Sequence, residues 1–220
     1  MEPAAGTPPG FRGMEIIVST ELDPAVNLSA EERLLTERRH DVLFLYVNGP
    51  SVIVGRNQCP EAEADTGFCR AHGIPVLRRI SGGGTVYHDP GNVNFSFLLN
   101  RGEVSVLDGD FLTPVVRALA SFGLSVEVGS RRELLLEGRK ISGTAAHVTR
   151  DRQLFHGTLL YDTDLAMLRR VLRGDASRRG RRVASVSSPV TNIADHLPER
   201  WTTGEFLRRL ADFFREYYAM

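Results

Sequence analysis

Arg78-Arg-Ile-Ser-Gly-Gly-Gly-Thr-Val-Tyr-His-Asp-Pro-Gly-Asn92 is the most informative segment of this chain. It places three consecutive glycines, residues 82–84, between an apolar run at residues 74–77 and an alternating run at residues 93–99. Glycine loses more backbone entropy on folding than any other residue, so three in a row need a physical reason. One reason is a concave row of backbone N–H groups that approaches an anion closely. A flexible hairpin turn is the other, because turns also favour glycine.

The residues beside the glycines favour the anion site over the plain turn. Arg78 and Arg79 provide planar, forked donors that suit carboxylates and phosphates. Ser81 and Thr85 provide hydroxyl groups. The segment matches neither the Gly-x-x-x-x-Gly-Lys-Ser/Thr phosphate loop nor the Gly-x-Gly-x-x-Gly dinucleotide fingerprint. The sequence therefore predicts an anion site that belongs to neither of these nucleotide folds.

The only lysine of the chain, Lys140, is the second informative feature, since the other 26 of the 27 basic residues are arginines. A lysine is a compact point charge on a flexible stem, and an arginine does not reproduce that geometry. Lys140 lies in the glycine- and hydroxyl-rich segment Gly138-Arg-Lys-Ile-Ser-Gly-Thr-Ala145. This placement predicts a functional role, and biased arginine usage with chance retention of one lysine is the alternative.

The composition excludes several classes of protein. Acidic and basic residues balance at 27 each, so no net field draws the chain to nucleic acid or to a membrane. No apolar run approaches the ~18 residues of a membrane span. Cys59 and Cys69 have no nearby Cys or His partners, which is typical neither of a disulfide framework nor of a zinc site. We expect reduced thiols in a cytoplasmic protein, with no bound metal and no nucleic-acid or membrane partner.

The order of elements predicts an α+β domain with a mixed, mostly antiparallel sheet flanked by helices. Predicted strands lie at residues 15–19, 42–47, 51–54, 76–79, 85–88, 92–99, 125–128, 133–136, 140–147 and 152–161. Predicted helices lie at residues 25–38, 61–72, 111–122 and 164–172, and a last one begins at the capping box Thr202-x-x-Glu205. The alternation at residues 93–99 predicts one buried strand face. We expect residues 1–13 to be a disordered tail and residues 14–220 to be a single domain.

Five segments, in this order, resemble the lipoate–protein ligase A family and its lipoyltransferase relatives. They are residues 50–58, 78–92, 138–145, 156–160 and 185–192. The resemblance extends over most of the chain, from about residue 15 to residue 197. It implies the catalytic-domain fold that this family shares with biotin ligases.

The resemblance also implies a reaction and its participants. Lipoate and ATP, with Mg²⁺, would give lipoyl-AMP, and a lysine of an acceptor protein domain would then take the lipoyl group. The implied acceptors are the E2 subunits of 2-oxoacid dehydrogenases and the H protein of glycine cleavage. Lys140 would contact the reacting carboxylate and phosphate oxygens. The other implied site residues, which line or close the acyl and adenylate groove, are Arg79, Ser81, Gly82, Gly83, Gly84, Thr85, Tyr87, His88, Asn92, Ala145 and His156.

Several alternatives stay open on the sequence. Full ligases of the family carry a further C-terminal accessory domain, which we expect to be absent here. The chain would then be a ligase that needs a small accessory subunit, or an enzyme that only transfers lipoyl groups from lipoyl-AMP. Octanoyl or lipoyl transfer through a cysteine thioester is a second enzymatic alternative, and a non-catalytic module that binds lipoyl domains is a third interpretation.

Two smaller features also have two interpretations each. His88-Asp89 is either a catalytic dyad or a hydrogen-bonded strand end. The arginine-rich residues 169–182 are either a solvated face or a docking surface for an acidic acceptor domain.

Overall fold

The computed structural model describes residues 13–101, 105–106 and 110–219. The predicted tail lies outside the described residues, except for Gly13 in a turn. The described residues form three sheets and six α-helices, which confirms the predicted α+β class with mostly antiparallel pairing.

The main sheet has five strands within the described residues, in the order β1-β2-β6-β11-β10. The strands are β1 (Glu15–Val18), β2 (Val42–Val47), β6 (Asn92–Asn100), β10 (Thr144–Val148) and β11 (Arg152–Leu160). The pair β1 and β2 is parallel, and the other neighbours are antiparallel. The sheet therefore brings β6 and β11, which carry predicted site residues, into its centre.

Two smaller sheets complete the described architecture. One has the order β4-β3-β5, from β3 (Ser51–Val54), β4 (Val76–Arg78) and β5 (Val86–His88). The other has the order β7-β8-β9, from β7 (Glu127–Val128), β8 (Leu134–Leu136) and β9 (Arg139–Ser142). The glycine-rich loop connects β4 to β5, and Lys140 lies on β9, so the two predicted motifs belong to different sheets.

Of the six described α-helices, the first, fourth and sixth pack on the main sheet, and the third and fifth pack on the sheet β4-β3-β5. They are α1 (Pro24–Glu37), α2 (Pro60–Glu63), α3 (Thr66–Ala71), α4 (Thr113–Ser121), α5 (Leu165–Val171) and α6 (Thr203–Ala219). Phe95 and Phe97 of β6 pack with α4 and α6 in the larger core, while Leu98 packs with Leu35 of α1 on the other face. The predicted capping box is confirmed, because the Thr202 N–H donates to Glu205 and the Glu205 N–H donates to the Thr202 hydroxyl.

Two sequence predictions differ from the structure, and a third is incomplete. The predicted helix at residues 61–72 is two helices, because Ala64 has an extended backbone and the Asp65 carboxylate caps α3. The predicted strand at residues 140–147 is divided at Gly143 into β9 and β10, which pair in different sheets. The predicted buried face of β6 is confirmed, but Asn94 and Ser96 on its second face are buried as well, and the Ser96 hydroxyl donates to Glu31 of α1.

Candidate active site

Two cavities meet beside Lys140. The first, of about 310 Å³, lies between the main sheet and the sheet β4-β3-β5, and the second measures about 700 Å³. Residues that line both cavities form the junction between them. They are Thr85, Val86, Lys140, Gly143, Thr158, Ser185 and Val186. Gly83 and Gly84 also line the first cavity, so the glycine-rich loop and Lys140 face the same space.

The backbone of Lys140 is fixed by the segment that follows the arginine-rich region. The Lys140 N–H donates to the Pro189 carbonyl at 2.9 Å, and the Thr191 N–H donates to the Lys140 carbonyl at 3.1 Å. The ammonium group folds over Gly143, where an added Cβ would lie 3.0 Å from Nζ. Burial and the nearby Arg131 guanidinium lower the pKa of Lys140, and Glu133 opposes them. The lysine therefore presents a partly desolvated positive charge to the junction, where such a charge acts most strongly.

Arg79 holds the glycine-rich loop from inside the protein. Its guanidinium donates to the carbonyls of Gly82 and Gly84 at 2.5 and 2.8 Å, and to the Ile53 carbonyl at 3.2 Å. Burial lowers the pKa of Arg79 to about 10, although the negative charge of Glu31 raises it. Arg79 thus binds carbonyl groups of the loop and uses none of the loop N–H groups. None of the described residues accepts a hydrogen bond from the N–H of residues 82–84.

Close approach explains why glycine is needed at two positions of this loop region. Gly83 has φ +84°, a left-handed conformation that disfavours side chains, and an added Cβ would lie 3.0 Å from Arg79 Nη2. At Gly55 an added Cβ would lie 2.2 Å from the Gly83 carbonyl oxygen. Arg78, in contrast, donates to the carbonyls of residues 55, 56 and 58, so it fixes the adjacent turn and does not face the cavity.

A buried polar chain connects Arg79 to helix α1. Arg79 Nε donates to the Ser81 hydroxyl at 2.9 Å, and Ser81 Oγ lies 2.7 Å from His156 Nε2. His156 Nδ1 lies 2.9 Å from the Glu31 carboxylate, which also accepts from the Ser96 hydroxyl at 2.5 Å. Burial raises the pKa of Glu31, but the attraction of His156 and these hydrogen bonds outweigh it and lower the pKa. The positive charge of Arg79 and the negative charge of Glu31 therefore compensate each other within one buried hydrogen-bonded network.

The pair His88-Asp89 forms a strand end and not a dyad. The Asp89 carboxylate accepts from the N–H groups of Gly91 and Asp164, at 2.9 and 2.8 Å. His88 Nδ1 instead lies 2.9 Å from Asn48 Nδ2. Asp89 thus joins the end of β5 to the start of α5, while His88 lines the first cavity.

The family model of the lipoyl protein ligase A/B catalytic domain matches residues 23–215. The chain belongs to this family. The match confirms the resemblance found in the five motifs, and it covers both cavities.

Several lipoate ligases are similar to this chain over most of its length. Lipoate-protein ligase LplJ of Bacillus subtilis is 37% identical over 198 residues, which are 86% of this chain and 58% of LplJ. A bi-partite lipoate protein ligase from Thermoplasma acidophilum, described with its E2 lipoyl domain, superposes with a TM-score of 0.78 at 25% identity. That match covers 94% of this chain and 84% of the other. LipL1 of P. falciparum, solved in complex with lipoate, gives a TM-score of 0.76 at 27% identity. That match covers 94% of this chain and 62% of LipL1.

The chain spans less than two thirds of the length of the curated ligases it matches first, with 58%, 61% and 55% of their lengths covered. The matched part contains the glycine-rich loop, Lys140 and the walls of both cavities.

The structure brings most residues implied by the family resemblance around the first cavity. Its walls include Arg79, Gly83, Gly84, Thr85, His88, Lys140, Ala145 and His156. Tyr87 lines the second cavity. Ser81, Gly82 and Asn92 line neither one. Ser81 and Gly82 bind Arg79, and Asn92 donates to the Asn94 side chain at 3.0 Å. The ligand contacts of all these residues stay predictions.

Three residues of the site had no role predicted from the sequence, although two of them lie in the family motifs. Glu31 stabilises His156 from a buried position on α1, where Asn27, Glu31 and Leu35 follow the helical spacing of a buried face. Gln58 accepts from the Thr85 hydroxyl and donates to Ser185, which also accepts from the Thr85 N–H. These bonds hold residues 183–188 over the junction.

Neither cysteine can supply a nucleophile to these cavities. Cys59 and Cys69 are buried free thiols, and neither one lines the two cavities. Burial also raises the pKa of the Cys69 thiol. Within the described part of the chain, no group of three His, Cys, Asp or Glu side chains could hold a metal ion, and no helix is long and apolar enough to cross a membrane.

The two glycines 82 and 83 provide a matched test of the loop. Gly83→Ala should lower the free energy of unfolding by about 1–3 kcal/mol, because the left-handed backbone is strained and the new methyl group presses on Arg79. Gly82→Ala should cost less than about 1 kcal/mol, since an added Cβ there meets nothing within 4 Å. Urea unfolding measures both values, and equal stabilities would contradict the assigned loop geometry.

Proposed function

We propose that this chain catalyses the attachment of a lipoyl group to a lysine of an acceptor protein domain through lipoyl-AMP. The single observation that carries the proposal is the position of Lys140 at the junction of a smaller and a larger cavity. An acyl adenylate has an apolar chain, a nucleotide and a charged acyl phosphate between them. We assign one cavity to the acyl chain, the other cavity to the nucleotide, and Lys140 to the acyl phosphate between them.

The first cavity suits the acyl chain. Leu28, Ile53, Val86 and Ala145 contribute apolar walls, and the cavity lies between two sheets. Its volume of about 310 Å³ is at the lower end of the range for small-molecule sites, about 300–1,000 Å³. We assign the acyl chain to this cavity because it is the smaller of the two and contains these apolar side chains.

The second cavity suits the nucleotide and its phosphates. Arg169 near the end of α5 and Arg173 just after this helix line it together with Arg179. Arg179 pairs with Glu63 at 3.2 Å, whereas no carboxylate of the described residues pairs with Arg169 or Arg173. Two unpaired guanidinium groups in one cavity are typical of a site that binds phosphate.

The proposed reaction has two steps. In the first, a lipoate carboxylate oxygen attacks the α-phosphorus of ATP, an O–P bond forms and pyrophosphate leaves. In the second, the neutral ε-amine of the acceptor lysine attacks the carbonyl carbon, an amide bond forms, AMP leaves and the amine loses its proton. Both steps concentrate negative charge on the oxygens between the carbonyl carbon and the phosphorus. ATP is the proposed adenylate donor, and Mg²⁺ is proposed to enter with the phosphates and to offset their charge.

The residues of this chain act by holding that charge. Lys140 is proposed to contact the carboxylate and phosphate oxygens, and the N–H groups of Gly83 and Gly84 are proposed to donate to the same oxygens. A preorganised donor of this kind contributes about 3–4 kcal/mol to the transition state. Arg79, Ser81 and His156 keep the loop in place. Thr85, Tyr87, Asn92 and Ala145 are proposed to complete the groove.

The proposed partners are lipoyl-accepting domains, either E2 subunits or the glycine cleavage H protein. The similar Thermoplasma acidophilum ligase is described as bi-partite and with its E2 lipoyl domain, which supports both an E2 acceptor and a small accessory subunit for adenylation. The cytoplasmic location and the absence of nucleic-acid and membrane partners stay predictions.

Removal of the Lys140 charge tests the catalytic assignment. Lys140→Met keeps the apolar stem and should lower transfer from preformed lipoyl-AMP to the acceptor domain by about a hundredfold or more. Arg139→Met, an exposed neighbour on the same strand, is the matched control and should keep near wild-type transfer. Mass spectrometry of the acceptor gives the rates. Wild-type rates in Lys140→Met would remove Lys140 from the reaction.

The acyl source tests the reaction itself. The pure chain is incubated with an apo acceptor domain and either lipoate with Mg-ATP or preformed lipoyl-AMP, and the acceptor is then weighed. We expect the acceptor to gain the lipoyl mass from lipoyl-AMP, while an acceptor whose target lysine is replaced by arginine gains none. Modification from ATP as well identifies a ligase that needs no further subunit. An unmodified acceptor in both arms would refute the proposed function.

A further inference from the structure

Positive charge is concentrated in one short segment of the chain. Residues 169–182 contain seven arginines and one aspartate, which gives this segment a net charge of +6. Because the whole chain has 27 basic and 27 acidic residues, the rest of it carries a net charge of −6. Like charges that lie close together repel one another and destabilise a compact state, so the concentration of arginine needs a physical reason.

The segment is attached to the protein by two of its arginines. Arg170 pairs with Asp65, the N-cap of α3, at 2.8 Å. Arg179 pairs with Glu63, the last residue of α2, at 3.2 Å. These contacts hold the segment beside the second cavity, which Arg179 and Glu63 both line. The positive charge is therefore part of a fixed surface next to the site.

Three further arginines of the segment, which we call the rim arginines, are exposed and line neither cavity: Arg178, Arg181 and Arg182. No carboxylate of the described residues forms an ion pair with them. Arg178 precedes Arg179, which lines the second cavity, and Arg182 precedes Val183, which lines the first. The rim arginines thus lie beside both cavities but outside the phosphate site proposed above.

Two exposed apolar side chains lie next to the rim arginines. Val183 is 49% exposed and Val186 is 62% exposed. Val186 also lines both cavities together with Lys140. Exposed apolar side chains mark interaction surfaces, and arginine is enriched in protein–protein interfaces. This combination beside the junction suits a protein partner that must reach Lys140.

We propose that the rim arginines, with Val183 and Val186, bind an acidic face of the acceptor domain beside its target lysine. The inference rests on the proposed function and adds the surface by which the acceptor is recognised. Opposite charges on two proteins accelerate their encounter and fix their orientation, and salt weakens this effect. The acceptor would thereby present its lysine to the junction of the two cavities.

Neutralisation of two rim arginines tests the docking surface. Arg181→Gln/Arg182→Gln should lower kcat/KM for an apo lipoyl domain by roughly tenfold at low salt, because electrostatic steering is lost. The change should lie in KM for the acceptor, while kcat at saturating acceptor and KM for lipoyl-AMP stay near their wild-type values. At about 0.5 M NaCl the variant and the wild type should have similar kcat/KM values.

Arg38→Gln/Arg39→Gln is the matched control, since it removes the same charge from two adjacent exposed arginines that form no ion pair within the described residues. The Arg39 carbonyl accepts from Asn100 at the end of β6. Thr158 at the junction pairs with Asn94 of the same strand, six residues and about 20 Å from Asn100. This control should therefore keep the wild-type kcat/KM for the acceptor at every salt concentration.

A changed acceptor identifies the face that binds. When the acidic residues nearest the target lysine of the apo lipoyl domain are replaced by amides, wild-type transfer should slow. Arg181→Gln/Arg182→Gln should then cause little further loss, because both changes remove the same interaction. Additive losses, equal losses in the two arginine variants, or a loss that persists at high salt would overturn the proposal.

The oligomeric state tests the other occupant that the charges allow, a second copy of this chain with its net negative remainder. Sedimentation at low salt should show wild type and Arg181→Gln/Arg182→Gln in the same state. A wild-type dimer that this variant alone dissociates would assign the surface to self-association and overturn the proposal. Wild-type protein that modifies no acceptor would refute the proposed function instead, so the two failures are distinguishable.

Discussion

The site depends on one buried guanidinium, that of Arg79, which binds the carbonyls of the glycine-rich loop. Burying such a charge is costly unless its donors are matched and a counter-charge is near. The loop carbonyls, Ser81 and the Ile53 carbonyl match the donors. Glu31 supplies the counter-charge through His156. The network therefore joins helix α1, strand β11 and the small sheet β4-β3-β5, and those three elements are the walls of the first cavity.

The second requirement is that Lys140 reaches the same space from a different sheet. This is possible because the chain changes sheets at Gly143, between β9 and β10. The Gly143 carbonyl accepts from the Thr158 N–H at 3.1 Å, so the change of sheets is fixed against β11. The absence of a side chain at Gly143 leaves room for the lysine stem, whose Nζ atom lies over it. The loop and the lysine are 56 positions apart in sequence and converge only through this packing.

Local patterns were enough to predict much of the fold. Strands β2 and β3 have the predicted bounds, since their apolar runs are bounded by turn residues. The predictions failed where contacts between distant segments decide the structure. The division of the helix at Ala64 and of the strand at Gly143 are two such cases. The burial of Asn94 and Ser96 is another, because α1 covers a strand face that the alternation assigned to solvent.

The candidate site was predicted less completely than the fold. The family motifs identified Lys140 and the glycine-rich loop, but their roles depend on partners with weak sequence signals. Glu31 is an acid on a helix and resembles any solvated residue until its buried position is known. Arg78 and Arg79 are adjacent and have the same side chain. Arg78 nevertheless binds the neighbouring turn, whereas Arg79 binds the glycine-rich loop. Arg78 ends β4 and Arg79 begins the loop, and only the structure shows what each one meets.

The most direct test is a crystal structure of this protein with an acyl-sulfamate analogue of lipoyl-AMP, in which a nitrogen replaces the bridging oxygen and prevents hydrolysis. We predict that the sulfamate oxygens lie within hydrogen-bonding distance of Lys140 Nζ and of the N–H groups of Gly83 and Gly84, with the acyl chain in the first cavity. A sulfamate bound elsewhere, with Lys140 and the glycine-rich loop both free of it, would contradict the account.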